Sequence, residues 1–304
     1  MTRAADLYAL EGEPPRADAP VLLHALTGFL DAGSGGSLAV QHLLETLEHR
    51  VVARFDVDVL YDYRARRPRM VFDTDHYGDL EWPEIVVREL VDAGGVPFLL
   101  LDGPEPDLGW RAFTAAIVDL VERLGVRLTV GMHAVPWPAP HTRPVGISAH
   151  ANDISLIPGR TPWVGEIQIP GHLGGVLELA LGEAGQPALG FAAHVPHYLA
   201  AGEHPRAALA LLEEVARATG LRIPLDALRT ASDIADADLN AQVASSEENT
   251  VAVRALEAQH DAFVARRAAE AGAPAAGPEV PTGDEIAAQV EQFLAEMDAR
   301  GRDD

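Results

Sequence analysis

Two stretches of this sequence gather side chains that could bind or transform a ligand. In "TGFLDAGSGG", residues 27–36, an aspartate and four glycines follow an apolar run. Glycines placed after a strand and before a helix let backbone N–H groups face a phosphate. Ser34 and Ser37 are candidate nucleophiles on a sharp turn. The third reading is a tight corner, in which Gly28 and Gly33 permit unusual backbone angles and Asp31 hydrogen-bonds neighbouring N–H groups. The spacing of Gly33, Gly35 and Gly36 fits neither G-x-G-x-x-G nor the phosphate loop, Asp31 repels a phosphate, and neither serine sits in G-x-S-x-G. These departures favour the corner.

The second stretch, "AVPWPAPHTRPVGISAHAND", holds His141, Thr142, Arg143, His150, Asn152 and Asp153. His141 has the chemistry of an acid or base, and the planar fork of Arg143 suits a carboxylate or phosphate. The competing reading makes His141 an ordinary hydrogen-bonding residue and pairs Arg143 with an acid such as Asp31. An active site would require Asp31, His141 and Arg143 to converge where strands end. His194, His197 and His204 in "HVPHYLAAGEHP" lack the H-E-x-x-H spacing and are interrupted by Pro196, so no metal site is expected.

These residues must be positioned by a chain of 304 residues with 23 basic and 46 acidic side chains, a net charge of −23. There is no cysteine and no lysine, which excludes disulfides, thiolate ligands, Schiff bases and the phosphate-loop lysine. The acidity argues against a nucleic-acid partner. No long apolar run suggests a membrane span, and acids and prolines occupy the N-terminal region where a signal peptide would be apolar, so the expectation is a cytoplasmic protein with no cofactor.

Apolar runs of strand length alternate with helical periods, the pattern of an α/β sheet with parallel crossovers and about six strands. The strands begin at Val21, Val51, Glu84, Val96, Val126 and Gln186. Asp107 is expected to cap one helix and Pro205 to open another. The boundaries expected are a core over 1–222, a helical extension over 223–270 as two helices or one bent one, a linker over 271–281, and an amphipathic tail helix over 282–304. Two long loops interrupt the alternation. One of them, "DYRARRPRMVFDTDHYGDLEWP", follows the second strand and combines Tyr with Arg, residues that protein interfaces favour.

"GFLDAG", "FLLLDGPEPDLGW", "GMHAVPWPAPHTRPVGISAHAND" and "PHYLAAGEHPRAALALLEEV", in that order, resemble the proteasome-assembly-chaperone family in its actinobacterial branch. The resemblance implies a three-layer α/β/α sandwich similar to nucleoside phosphorylases and hydrolases, with a C-terminal helical extension. It also implies a homo-oligomer, a trimer by fold, and a non-catalytic role with protein partners related to the proteasome. The alternative carried forward is a small-molecule-binding or hydrolytic enzyme. Some relatives end in a hydrophobic-Tyr-x motif, whereas this chain ends "ARGRDD". Gly28, Asp31, Gly33, His141 and Arg143 stand as the candidate binding residues, with none assigned to catalysis.

Overall fold

The strand β2 (Val21–Thr27) is apolar at nearly every position instead of alternating, which demands cover on both of its faces. The computed structural model, which describes residues 6–13, 15–16, 19–160, 163 and 165–272, meets that demand with a three-layer α/β/α arrangement. The main sheet also contains β1 (Tyr8–Leu10), β3 (His49–Phe55), β6 (Val86–Val91), β7 (Pro97–Pro104), β8 (Leu128–Trp137), β9 (Ile147–Ala151) and β10 (Ala188–Pro196). Their order is β1-β3-β6-β7-β2-β8-β10-β9. The central β7, β2, β8 and β10 are parallel, and the flanking pairs are antiparallel. A separate hairpin joins β4 (Met70–Asp73) to β5 (His76–Leu80).

One face of the sheet is covered by α1 (Gly35–Thr46), α5 (Pro205–Thr219) and α6 (Asp226–Ala244). There Leu23 of β2, Met132 of β8 and Phe191 of β10 pack with Leu43, Leu211 and Leu228. The other face is covered by α3 (Trp110–Arg123) and α4 (Leu173–Glu183), whose Phe113, Ile117, Leu173 and Leu177 meet Leu22, Leu99 and Leu101. A one-turn helix, α2 (Val57–Leu60), and the long α7 (Glu247–Gly272) complete the described elements.

The helix that leaves β2 lies on the first face, whereas α3, which follows β7, and α4, on the connection from β8 through β9 to β10, lie on the second. Divergent exits of this kind open a crevice at the carboxyl ends of neighbouring strands, the usual ligand position in open α/β sheets.

The sequence pattern missed β1 and β9, because edge strands this short carry little apolar signal, and it read the β4–β5 hairpin as part of a long loop, because turn residues crowd that stretch. Asp107 does not cap α3. The chain turns again at Gly109, whose φ of 69° precedes Trp110, while the Asp107 carboxylate accepts from the Asp62 N–H at 2.8 Å. Pro205 does open α5. The segment after residue 223 forms two helices, α6 and α7. Apart from Ala271 and Gly272 at the end of α7, the expected linker and tail helix lie outside the described residues.

Among the described residues, those up to 160 together with 171–261 form one compact unit, and those of 163–170 with 262–272 belong to another. In the smaller unit, Trp163 stacks on Phe263 at 6.0 Å and the Arg267 guanidinium lies 3.9 Å from the Trp163 ring centre.

In the larger unit, Phe113 is fully buried, and its ring centre lies 4.8 Å from that of Phe55. Phe113→Ala is expected to lower the unfolding free energy by about 3–5 kcal/mol in urea titrations; a loss under about 1 kcal/mol would remove this pair from the core.

Candidate functional site

The glycine stretch forms a corner closed by its own aspartate. Asp31 Oδ1 accepts from the N–H groups of Gly36 at 2.7 Å and Ser37 at 3.4 Å, and Oδ2 accepts from the Ser37 hydroxyl. A phosphate at the start of α1 would meet this carboxylate in its place, and Ser37 is engaged by it. Gly33 has a φ of 62°, and a Cβ there would lie 2.9 Å from His204 Cβ. A Cβ at Gly28 would lie 2.5 Å from Glu105 Oε2.

His141 and Arg143 are committed to other parts of the chain. The His141 N–H donates to the Tyr198 hydroxyl at 2.8 Å, and His141 Nδ1 lies 2.7 Å from the same oxygen. Nε2 faces Asn240 Oδ1 on α6 at 3.3 Å. One assignment satisfies all three contacts: Nε2–H donates to Asn240, while Nδ1 accepts the tyrosine proton. His141 is buried and has no nitrogen left for acid–base work.

Arg143 grips a carboxylate, as its fork suggested, but the carboxylate is Asp261 of α7. Its Nε and Nη2 donate at 2.9 and 2.8 Å, and Nη1 reaches Glu257 at 3.1 Å. The hydrogen bond from Arg143 holds the Asp261 carboxyl down to about 2. The expected Arg143–Asp31 pair is therefore not formed, because each group has nearer partners. Thr142, Arg143, Arg206 and Glu213 line an open groove of about 430 Å³, but both arginines are already paired, Arg206 with Asp236 at 2.5 Å.

The residues that do converge lie on the α3/α4 face. His24 sits on β2 between Leu22 and Leu26, and the two-residue period turns all three toward α3 and α4. His133 on β8, His150 on β9 and His172 at the N-cap of α4 complete the cluster. The His133 ring centre lies 6.1, 5.3 and 5.6 Å from those of His24, His150 and His172. Room for these rings comes from absent side chains, since a Cβ at Gly190 would lie 2.2 Å from His150 Cε1. Nearby, His194 Nε2 bonds the Ser148 hydroxyl at 2.8 Å and its ring stacks on Trp137.

The hydrogen bonds fix where protons reside. Glu178 on α4 accepts from His150 Nδ1 at 2.7 Å, so neutral His150 presents an unprotonated Nε2. That atom lies 3.2 Å from His133 Nε2, which must donate, leaving His133 Nδ1 as an acceptor. His172 Nδ1 accepts from the Gly175 N–H at 3.2 Å, so its proton is on Nε2. Glu105 receives the N–H groups of Leu173 at 2.7 Å and Phe29 at 3.3 Å. His24, Glu105, His133, His172 and Gly174 line a cavity of about 20 Å³, enough for one water. No three His, Asp or Glu side chains among the described residues are placed to hold one metal ion.

Burial lowers the imidazoles. His24 is 5 % exposed and falls to about 4, first through desolvation and then through His150 and His172. Desolvation also puts His133 well below the ordinary value and lowers His172. His204, buried beside Arg206, falls to about 4 for the same leading reason.

Of the four clustered imidazoles the sequence pointed to His150 alone, and in another constellation; His24, His133 and His172 were not singled out because the cluster is drawn from four separate elements. The available signal was a histidine inside each of two apolar strands, "VLLHALT" and "LTVGMHAVPW".

A histidine with a lowered folded pKa binds fewer protons folded than unfolded, so stability rises with pH. This contribution is complete above the unfolded value of 6.5 and is lost as pH falls toward 4. From His24 alone the expected loss is roughly 3 kcal/mol. Urea midpoints measured across that range should fall, with a shallower slope in His24→Leu; a flat profile in the parent protein would show that these rings are not held neutral.

The model of the PAC2 family matches residues 25–243. A solved Mycobacterium tuberculosis protein of unknown function is 45 % identical, with a TM-score of 0.82 over 85 % of this chain and 92 % of that one. A Mycobacterium tuberculosis proteasome-assembly chaperone homologue is 28 % identical, with a TM-score of 0.70 over 77 % of this chain and 99 % of that one. A PAC2 family protein from Streptomyces avermitilis is 32 % identical, with a TM-score of 0.67 over 75 % of this chain and 97 % of that one. No relative is found among the curated proteins. With more than half of its length matched by the family model, the chain belongs to the PAC2 family.

Proposed function

We propose that this protein is a non-catalytic assembly or interaction factor of the proteasome-assembly-chaperone kind, working in the cytoplasm as a homo-oligomer, with a trimer the expected form. Membership of the PAC2 family and likeness to a proteasome-assembly chaperone homologue support that class of role. Among the described residues no helix is long and apolar enough to cross a membrane.

The observation that carries the reading is the β4–β5 hairpin. It pairs with no strand of the main sheet, and it exposes Met70, Val71, Phe72 and Tyr77, with Trp82 just beyond. Phe72 is 61 %, Tyr77 73 % and Trp82 62 % exposed. Arg64, Arg67 and Arg69 lie exposed on the approach to the hairpin. Large apolar and aromatic side chains with arginine, concentrated on one projection of an acidic chain, have the composition of a protein-binding surface.

The enzyme alternative would rest on the imidazole cavity at the carboxyl ends of the strands, since the polar atoms of Asp31, His141 and Arg143 are engaged elsewhere. That cavity has room for a water and not for a substrate. The interaction role therefore stands first.

Affinity capture from the source organism, paired with a Phe72→Asp/Tyr77→Asp variant, tests it. The expected result is recovery of proteasome subunits with the parent protein and their loss with the variant, whose exposed substitutions leave the circular dichroism unchanged. Failure to recover any proteasome subunit, together with turnover of a nucleoside-like substrate, would overturn the assignment. Light scattering on the purified chain reports the oligomer separately.

A further inference from the structure

The start of α4 is held by two side chains that respond differently to protons. Glu105 accepts the Leu173 N–H, and His172 Nδ1 accepts the Gly175 N–H. Ring nitrogen accepts only while unprotonated. A proton on Nδ1 removes the cap and sets a cation at the positive end of the helix dipole. Leu173, fully buried in the core, anchors the start of the turn, whereas Gly174 and Gly175 after it are poor helix formers with no side chains to pack.

This turn forms part of the wall of the imidazole cavity, through His172 and Gly174. His172 is faced by Glu105 after β7, His24 on β2, His133 on β8, His150 on β9 and Glu178 on α4. The two carboxylates favour a proton on His172; the neighbouring histidines, when charged, oppose it. Farther along α4, the His150–Glu178 contact, 2.7 Å long, ties the helix to β9. Loss of the cap therefore loosens the first turn while the tie behind it holds the rest of the helix to the sheet.

We propose that the first turn of α4 is a proton-released latch over the imidazole cavity, closed by neutral His172 and opened when His172 is protonated. Opening exposes His24 of β2 and His133 of β8. Hydration then favours charge on both rings, and their repulsion keeps the turn open, which makes the device two-state.

Amide exchange of the full chain, corrected for the intrinsic pH dependence, reads the latch directly. Between about pH 7.5 and about pH 4.5, protection of amides 173–176 is expected to fall about fivefold through local opening, the ratio that corresponds to one lost cap, while amides of β2 and β8 stay better protected than the turn at either pH and change only with the global stability. His172→Asn supplies an oxygen acceptor at either pH, so its first turn should remain protected. Equal protection of the parent protein at both pH values, or an equal fall in His172→Asn, would overturn the proposal. A proton NMR titration of His172 in the parent protein provides a second readout that needs no variant: its midpoint must coincide with the loss of protection, and a midpoint elsewhere would also overturn it.

Discussion

Burial of β2 on both faces is the constraint from which the remaining architecture follows. A strand with Leu22 packed toward α3 and α4 and Leu23 toward α1 and α5 cannot stand at a wet surface. It must lie inside a sheet with helices on both sides, and parallel neighbours supply those helices through their crossovers. The antiparallel strands and the short β1 and β9 then occupy the edges, where one row of backbone groups is left unpaired. The same constraint creates the crevice, because α1 leaves β2 toward one face while α3 and α4 follow its neighbours on the other.

A polar residue inside such a strand carries a cost that its surroundings must meet. His24 remains neutral, and the residues around it are more imidazoles, glycines that yield space, and a carboxylate already satisfied by backbone N–H groups. Glu105 has a wider role than the cavity, since it joins the end of β7, the loop after β2 and the start of α4. Its position explains why Gly28 admits no side chain without displacement. The cavity and the glycine corner are thus linked through one carboxylate, although each is made from a different part of the chain.

The hairpin and the imidazole cluster illustrate opposite uses of unusual residues. Phe72 and Tyr77 are apolar where water is abundant, and they gain only from a partner that removes that water. The histidines are polar where water is scarce, and they respond to protons instead. The first arrangement suits recognition by another protein; the second suits internal control of a helix.

Local chemistry made much of the fold legible in the sequence. Continuous apolar runs announced the central strands, Pro205 announced α5, and the ordered motifs from "GFLDAG" to "PHYLAAGEHPRAALALLEEV" marked the family. The Asp31 corner was also readable, since its partners lie within six residues. What only the tertiary structure decided were contacts across long separations. Arg143 found Asp261, 118 residues away, and His24 came to face His133 and His172. Residue type specifies that an arginine seeks a carboxylate and that a buried imidazole stays neutral. Which carboxylate and which imidazoles depends on sheet order and helix placement, because interactions of a few ångströms are selected only after distant segments have packed.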